Sequence, residues 1–143
     1  MNVYVIDASV ASRFLLVEDL SDRAELVLED LLGGAIDLRA PELVVYEVGN
    51  TLWKAVKQRF INLEEATEKF SQYLRLRIDS TGLGEDEYRE ILEWSAKNDA
   101  TYYDSVYVEV SKKTGATLLT ADDILYEKAC KDISVLHLRD YKR

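Results

Sequence analysis

Short apolar runs alternate along this chain with longer segments whose apolar residues recur at helical spacing, and that alternation restricts the fold more than any other feature. Residues 2–6 are rich in β-branched and aromatic side chains and stop at an acid, Asp7. Val10, Phe14, Leu15 and Val17 then predict an amphipathic first helix. A second helix is expected from Ser21 to Leu32, stopped by Gly33 and Gly34, followed by a short strand from Ile36 to Arg39 closed by Pro41. From Glu42 to Arg59 the spacing is again helical, with Val45, Val48, Leu52 and Val56 near one face. Asn62 and Glu65 have the spacing of a capping box and open the next helix.

Ile78 to Gly82 reads as a short strand and Asp86 to Lys97 as a helix. Tyr103, Val106, Tyr107 and Val110 form a further helical stripe, expected to pack inside and to end at Gly115, where a left-handed cap is expected. Thr117 to Thr120 is a short buried strand, a last helix begins around Ala121, and Val135 with Leu136 supplies a final edge strand. Strands that alternate with helices imply a mostly parallel sheet covered on both faces. The fold class is α/β, read as one domain over residues 1–143.

The composition narrows the chemistry. No apolar run approaches the roughly 20 residues that a membrane-spanning helix needs. The first residues lack the basic stretch, apolar stretch and cleavage site of a secretion signal. A single cysteine, Cys130, excludes intrachain disulfides, Cys-rich zinc sites and CxxC redox chemistry, and the expected compartment is the cytoplasm. With His137 as the one histidine, histidine zinc clusters are excluded too, so the chemistry falls to carboxylates. A net charge of −9, from 27 acidic and 18 basic residues, argues against phosphate binding by bulk electrostatics while leaving room for a local site.

In open parallel sheets the ligand crevice lies beyond the carboxyl ends of the strands. Asp7 ends the first strand, and Asp122 follows Thr117 to Thr120. Glu47 and Asp104 interrupt apolar helical segments, where a lone carboxylate requires a partner or a cation. Each acid also has an ordinary reading. Asp7 caps the first helix, Thr120 with Asp123 forms a cap that needs no metal, and Glu47 and Asp104 sit on a solvated stripe. The joint placement, two acids at strand ends and two in helices that start beside strand ends, distinguishes the four. Were they to converge, their repulsion would call for a hard divalent cation such as Mg²⁺ or Mn²⁺, which keeps open positions for a phosphate oxygen and a water. Such a centre hydrolyses phosphodiesters.

These residues resemble the PIN-domain family, in particular its VapC-type toxins, over nearly the whole chain. Val5-Ile6-Asp7-Ala8-Ser9-Val10 is similar to the family's first strand with its acid and small hydroxyl residue. Pro41 to Asn50 resembles the second block, with Glu47 as its acid and Asn50 as a polar neighbour. Tyr103-Asp104-Ser105-Val106-Tyr107 resembles the third, and Thr117-Leu118-Leu119-Thr120-Ala121-Asp122 the fourth. The resemblance implies a three-layer α/β/α fold around a five-stranded, mostly parallel sheet. It also implies an endoribonuclease dependent on Mg²⁺ or Mn²⁺, an RNA substrate, a homodimer and a small VapB-type antitoxin. Asp7, Glu47, Asp104 and Asp122 would hold metal and carry catalysis, with Ser9, Asn50 and Thr120 supporting them. Asp123 departs from the pattern, either extending the metal site or favouring the helix start, and the second reading is preferred because Asp122 completes the match. Arg13, Lys54, Lys57 and Arg59 are candidate RNA contacts, although exposed bases on helices usually serve solubility.

Other classes fit less well. A haloacid-dehalogenase-like phosphatase also opens with a strand ending in Asp, but Ser9 stands where its second acid belongs. A receiver-like signalling module lacks a convincing lysine near the last strand. The remaining alternatives are a PIN-fold interaction module without significant nuclease activity and an RNA-processing nuclease not linked to an antitoxin. Most of the nine tyrosines and two tryptophans read as core or interface, and Trp53 and Phe60 suit a dimer contact or an antitoxin groove.

Overall fold

A computed structural model describes residues 1–142. β1 (Asn2–Ile6) leads into α1 (Ala8–Ala11) and a 3-10 turn (Ser12–Phe14), followed by α2 (Ser21–Leu32), β2 (Ile36–Ala40), α3 (Leu43–Lys57) and α4 (Leu63–Arg75). β3 (Asp79–Ser80), α5 (Glu85–Asn98), α6 (Tyr102–Thr114), β4 (Thr117–Thr120), α7 (Asp123–Ala129) and β5 (Val135–His137) complete the chain, with a last 3-10 turn at Leu138–Asp140. The strands form one five-stranded sheet in the order β3-β2-β1-β4-β5, and every pairing is parallel. Helices cover both faces, giving the three-layer α/β/α architecture that the sequence implied.

The core explains why the central strands are continuous apolar runs. Val5 and Ile6 of β1, Leu38 of β2 and Leu118 and Leu119 of β4 are fully buried, as expected for strands covered on both faces. Tyr107 and Val110 of α6, Val48 of α3 and Leu125 of α7 pack into the same cluster. Several local signals act as read. The Asn62 side chain accepts the Glu65 N–H at 2.8 Å and the Glu65 carboxylate accepts the Asn62 N–H at 3.4 Å, closing the capping box. Gly115 takes φ 73°, the left-handed cap that stops α6.

Three expectations need correction. The first helix lasts a single turn before tightening into the 3-10 segment, and Val17 is 97% exposed rather than part of an amphipathic face. The Ser21 hydroxyl gives the backbone another partner there, accepting the Glu18 N–H and donating to the Leu16 carbonyl. Tyr103 is 61% exposed, whereas Tyr107, one turn later on the same stripe, is buried. The cap of α7 is Asp122, not Thr120 with Asp123, because the Asp122 carboxylate reaches the Leu125 N–H at 2.9 Å.

Sheet order places the site. From β1 the chain builds outward to β2 and β3 on one side, and later returns to β1's other side with β4 and then β5. The carboxyl ends of β1 and β4 therefore flank the crevice of a topological switch point. Asp7 and Asp122 stand one and two residues beyond those ends.

Candidate active site

Asp7 is buried, 4% exposed, and tied on every side. Its Oδ1 accepts the Ser9 hydroxyl at 2.5 Å and the Val10 N–H at 3.2 Å, so it caps α1 as well. Its Oδ2 accepts the Thr120 hydroxyl at 2.5 Å across the β1–β4 seam. The Ser9 Oγ in turn accepts the Ala121 N–H at 2.8 Å, and the Thr120 Oγ1 accepts the Asp122 N–H at 3.0 Å. Two hydroxyl residues thus weld the loop after β4 to the end of β1. Burial pushes the Asp7 carboxyl up to about 6, the bonds from Ser9, Thr120 and Val10 oppose it, and the Asp122 charge adds to the rise.

Glu47 and Asp104 come from helices. Glu47, half-buried on α3, accepts the hydroxyl of Tyr107 at 2.5 Å, a bond that joins α3 to α6. Burial raises the Tyr107 phenol far above its ordinary value, reinforced by its bond to Glu47 and by the Glu47 and Asp7 charges. Asp104 lies half-buried in the first turn of α6, whose start is capped by Thr101 accepting the Asp104 N–H at 3.1 Å. Burial raises the Asp104 carboxyl, and the charges of Asp122 and Glu47 push it further, while Thr101 and Lys128 act in the opposite sense.

All four acids therefore share one electrostatic neighbourhood. Asp122 acts on Asp7 and Asp104, and Glu47 acts on Asp104. They do not form a closed cage, since among the described residues no three carboxylate, histidine or cysteine groups gather closely enough to grip an ion together. The donor set fits Mg²⁺ or Mn²⁺ all the same. These are hard oxygen ligands carrying mutually repelling charge, and Mg²⁺ characteristically keeps waters and takes only one or two protein carboxylates directly.

The remaining sequence candidates divide. Ser9 and Thr120 hold Asp7 directly. Asn50, three residues after Glu47 on α3, is exposed. Asp123 turns away from the acids toward His137 and Arg139, which it meets at 2.8 and 3.3 Å. Arg13 donates to the carbonyls of Ser9 and Asp19, both at 2.7 Å, and so braces the turn after β1. Lys54 and Lys57 lie seven and ten residues beyond Glu47 on α3, about 10 and 15 Å along its axis. Lys57 lies over the Trp53 ring at 5.2 Å, and Arg59 follows the end of α3 with φ 62°. Two contributors escape sequence reading. Tyr107 looks like plain core, although a phenol in an apolar stripe requires a hydrogen-bond partner, which was the available signal. Lys128 acts on Asp104 from α7 and carries no local signal at all.

The PIN-domain family model matches residues 4–131. The chain belongs to the PIN-domain family. Among curated PIN-type relatives, Ribonuclease VapC3 of Pyrobaculum aerophilum is 30% identical over 132 residues, covering 87% of this chain and 92% of that protein. Exonuclease VapC9 of the same organism is 31% identical over 94 residues, 65% of this chain and 68% of its own length. Solved structures agree on the PIN fold. PAE2754 of Pyrobaculum aerophilum superposes with a TM-score of 0.69 at 20% identity, over 96% of this chain and 92% of that one. FitAcB from Neisseria gonorrhoeae gives 0.67 at 18% identity, over 96% and 99%.

Proposed function

We propose that this chain is an endoribonuclease dependent on Mg²⁺ or Mn²⁺ and the toxin of a toxin–antitoxin pair. The observation that carries the reading is the pair Asp7 and Asp122 beyond the carboxyl ends of β1 and β4, with Glu47 of α3 and Asp104 of α6 acting on the same neighbourhood, where burial and neighbouring charge raise Asp7 and Asp104. The names ribonuclease and exonuclease borne by the relatives support nuclease chemistry, and their VapC names support the toxin assignment.

The four acids would hold the metal, which when bound polarises the scissile phosphate and lowers the pKa of a coordinated water. The chain's own residues do the rest. Ser9 and Thr120 keep both oxygens of Asp7 fixed in direction, and Tyr107 does the same for Glu47. Asp104, half-buried and raised by the charges of Asp122 and Glu47, is one of the carboxylates whose repulsion a divalent ion would relieve. A net charge of −9 supplies no broad positive field, so RNA is held by local contacts from bases such as Arg13, Lys54, Lys57 and Arg59.

A groove of about 600 Å³ between the turn after β1 and the α3–α4 corner is lined by Leu15, Val17, Ala55, Phe60 and Ile61. It supports a VapB-type antitoxin as partner. The exposed Tyr46, Trp53 and Tyr103 are the side chains from which a homodimer contact would draw. Among the described residues no helix is long and apolar enough to cross a membrane, and a cytoplasmic site of action accords with the lone, unpaired Cys130. Only the net charge of −9 favours a PIN-fold interaction module instead.

The deciding experiment uses end-labelled linear RNA and circular RNA in Mg²⁺, Mn²⁺ or EDTA, with Asp104→Asn alongside the wild type. Cleavage of both RNAs that disappears in EDTA and in the variant is expected. Cutting of linear RNA alone would make the enzyme an exonuclease. No cutting, or equal cutting by the variant, would refute the assigned site and favour the interaction module.

A further inference from the structure

The chain's one histidine lies 14 residues beyond Asp123 in sequence and meets it in the fold. His137 ends β5, in register with Thr120 of β4, and is 2% exposed. Its Nδ1 accepts the Arg139 N–H at 3.1 Å, so the ring proton resides on Nε2, which faces the Asp123 Oδ1 at 2.8 Å. The Arg139 guanidinium approaches the same oxygen at 3.3 Å and lies 5.3 Å from the Tyr126 ring centre. The His137 ring meets Tyr126 edge-on at 5.5 Å. The segment 137–139, which lies beyond the residues matched by the family model, thereby grips two residues of α7, Asp123 and Tyr126.

That grip bears on the site because α7 is only seven residues long and begins immediately after Asp122. So short a helix has little stability of its own, and what holds its ends sets its direction. The buried His137 N–H needs an acceptor, and Asp123 supplies it from a side chain that is itself 76% exposed. The doubled acid after Thr120 thus divides its labour: Asp122 faces Asp7 and Asp104, while Asp123 faces the C-terminal segment.

We propose that the C-terminal segment is a latch, in which His137 is a positioning residue that acts through Asp123 to fix the first turn of α7 and with it the direction of the Asp122 carboxylate. The inference rests on the proposed role of Asp122 at the metal, and two readouts on the full chain separate them. Hydrogen exchange of the Leu125 amide in EDTA reports the cap made by Asp122 with no metal present. Titration with Mn²⁺ followed by electron paramagnetic resonance reports the site without RNA.

Asp123→Ala and His137→Leu are expected to accelerate Leu125 exchange and to weaken Mn²⁺ binding about tenfold, the scale typical of supports behind a metal ligand. His137→Gln keeps an N–H donor for Asp123 and is expected to restore most of both properties. Unchanged exchange and unchanged Mn²⁺ binding in Asp123→Ala would overturn the latch. Lost Mn²⁺ binding with unchanged Leu125 exchange would make Asp123 a ligand, and that also overturns it. Accelerated exchange in both variants, in a wild type that binds no Mn²⁺, would uphold the latch and refute the metal reading.

Discussion

Replacing Asp7 by asparagine should make the metal-free protein more stable at neutral pH while abolishing its chemistry. The folded state holds the Asp7 carboxyl at about 6 instead of its ordinary 3.8, chiefly through burial. The folded chain therefore binds this proton more tightly than the unfolded chain, and stability falls as pH rises from about 4 through 6. Once ionisation is complete the penalty reaches roughly 3 kcal/mol, an order-of-magnitude figure. Asparagine removes the charge and keeps an oxygen for the Ser9 hydroxyl and the Val10 N–H. Its amide nitrogen, however, faces the Thr120 hydroxyl that donates to Asp7, a mismatch of about 1 kcal/mol.

Asp7→Asn should thus gain about 2 kcal/mol at pH 7.5, and at pH 4.5, where Asp7 is already largely protonated in the folded state, the gain should nearly vanish. Urea unfolding in EDTA at the two pH values, followed by tryptophan fluorescence, measures both numbers. Trp94 is a suitable probe, being 7% exposed and donating to Asp132. A variant less stable than wild type at pH 7.5, or a difference indifferent to pH, would refute the reasoning.

Tyr107→Phe removes the hydroxyl that orients Glu47 and should lower cleavage or Mn²⁺ affinity by roughly 10- to 100-fold while costing only about 1 kcal/mol in stability. Thr120→Val deletes the donor to Asp7 and the acceptor for the Asp122 N–H, so urea unfolding should show a loss of about 2–3 kcal/mol. The same variant should raise the Asp7 pKa further and shift the acid limb of the pH–rate profile upward. Glu109, 5% exposed on α6, is pushed up to about 7 by burial and by the carboxyl of Glu90. Wild-type stability should therefore decline as pH rises from about 5 to 8, and Glu109→Gln should flatten that decline in thermal midpoints measured at pH 6 and 8.

What the sequence discloses and what it withholds follow from the range of the interactions. The capping box at Asn62, the stop at Gly115 and the strand ending at Asp7 depend on neighbours within a few residues, and all can be read directly. A mostly parallel sheet follows from repeated alternation, a pattern that survives errors at any one element, and the structure makes every pairing parallel. The span of the first helix cannot be read this way, because Ser21 diverts the backbone from beyond the apparent stripe. Tyr103 and Tyr107 share a helical period, and periodicity alone does not say that one lies in the exposed first turn and the other against Glu47. The same limit hides the partner of Asp123, since His137 reaches it from a separate strand 14 residues away.

The bonds that hold the acids in place close very long loops. Thr120 meets Asp7 across 113 residues, Ala121 meets Ser9 across 112, and Tyr107 meets Glu47 across 60. During synthesis Asp7 emerges before β2, the helices and β4, and it lacks its partner Thr120 until β4 has left the ribosome. Loop closure over such distances is slow and comes late in folding. A crevice built this way is among the last parts of the fold to assemble, because β4 must be made and paired beside β1 before Ser9 and Thr120 can hold Asp7 and the loop that follows β4.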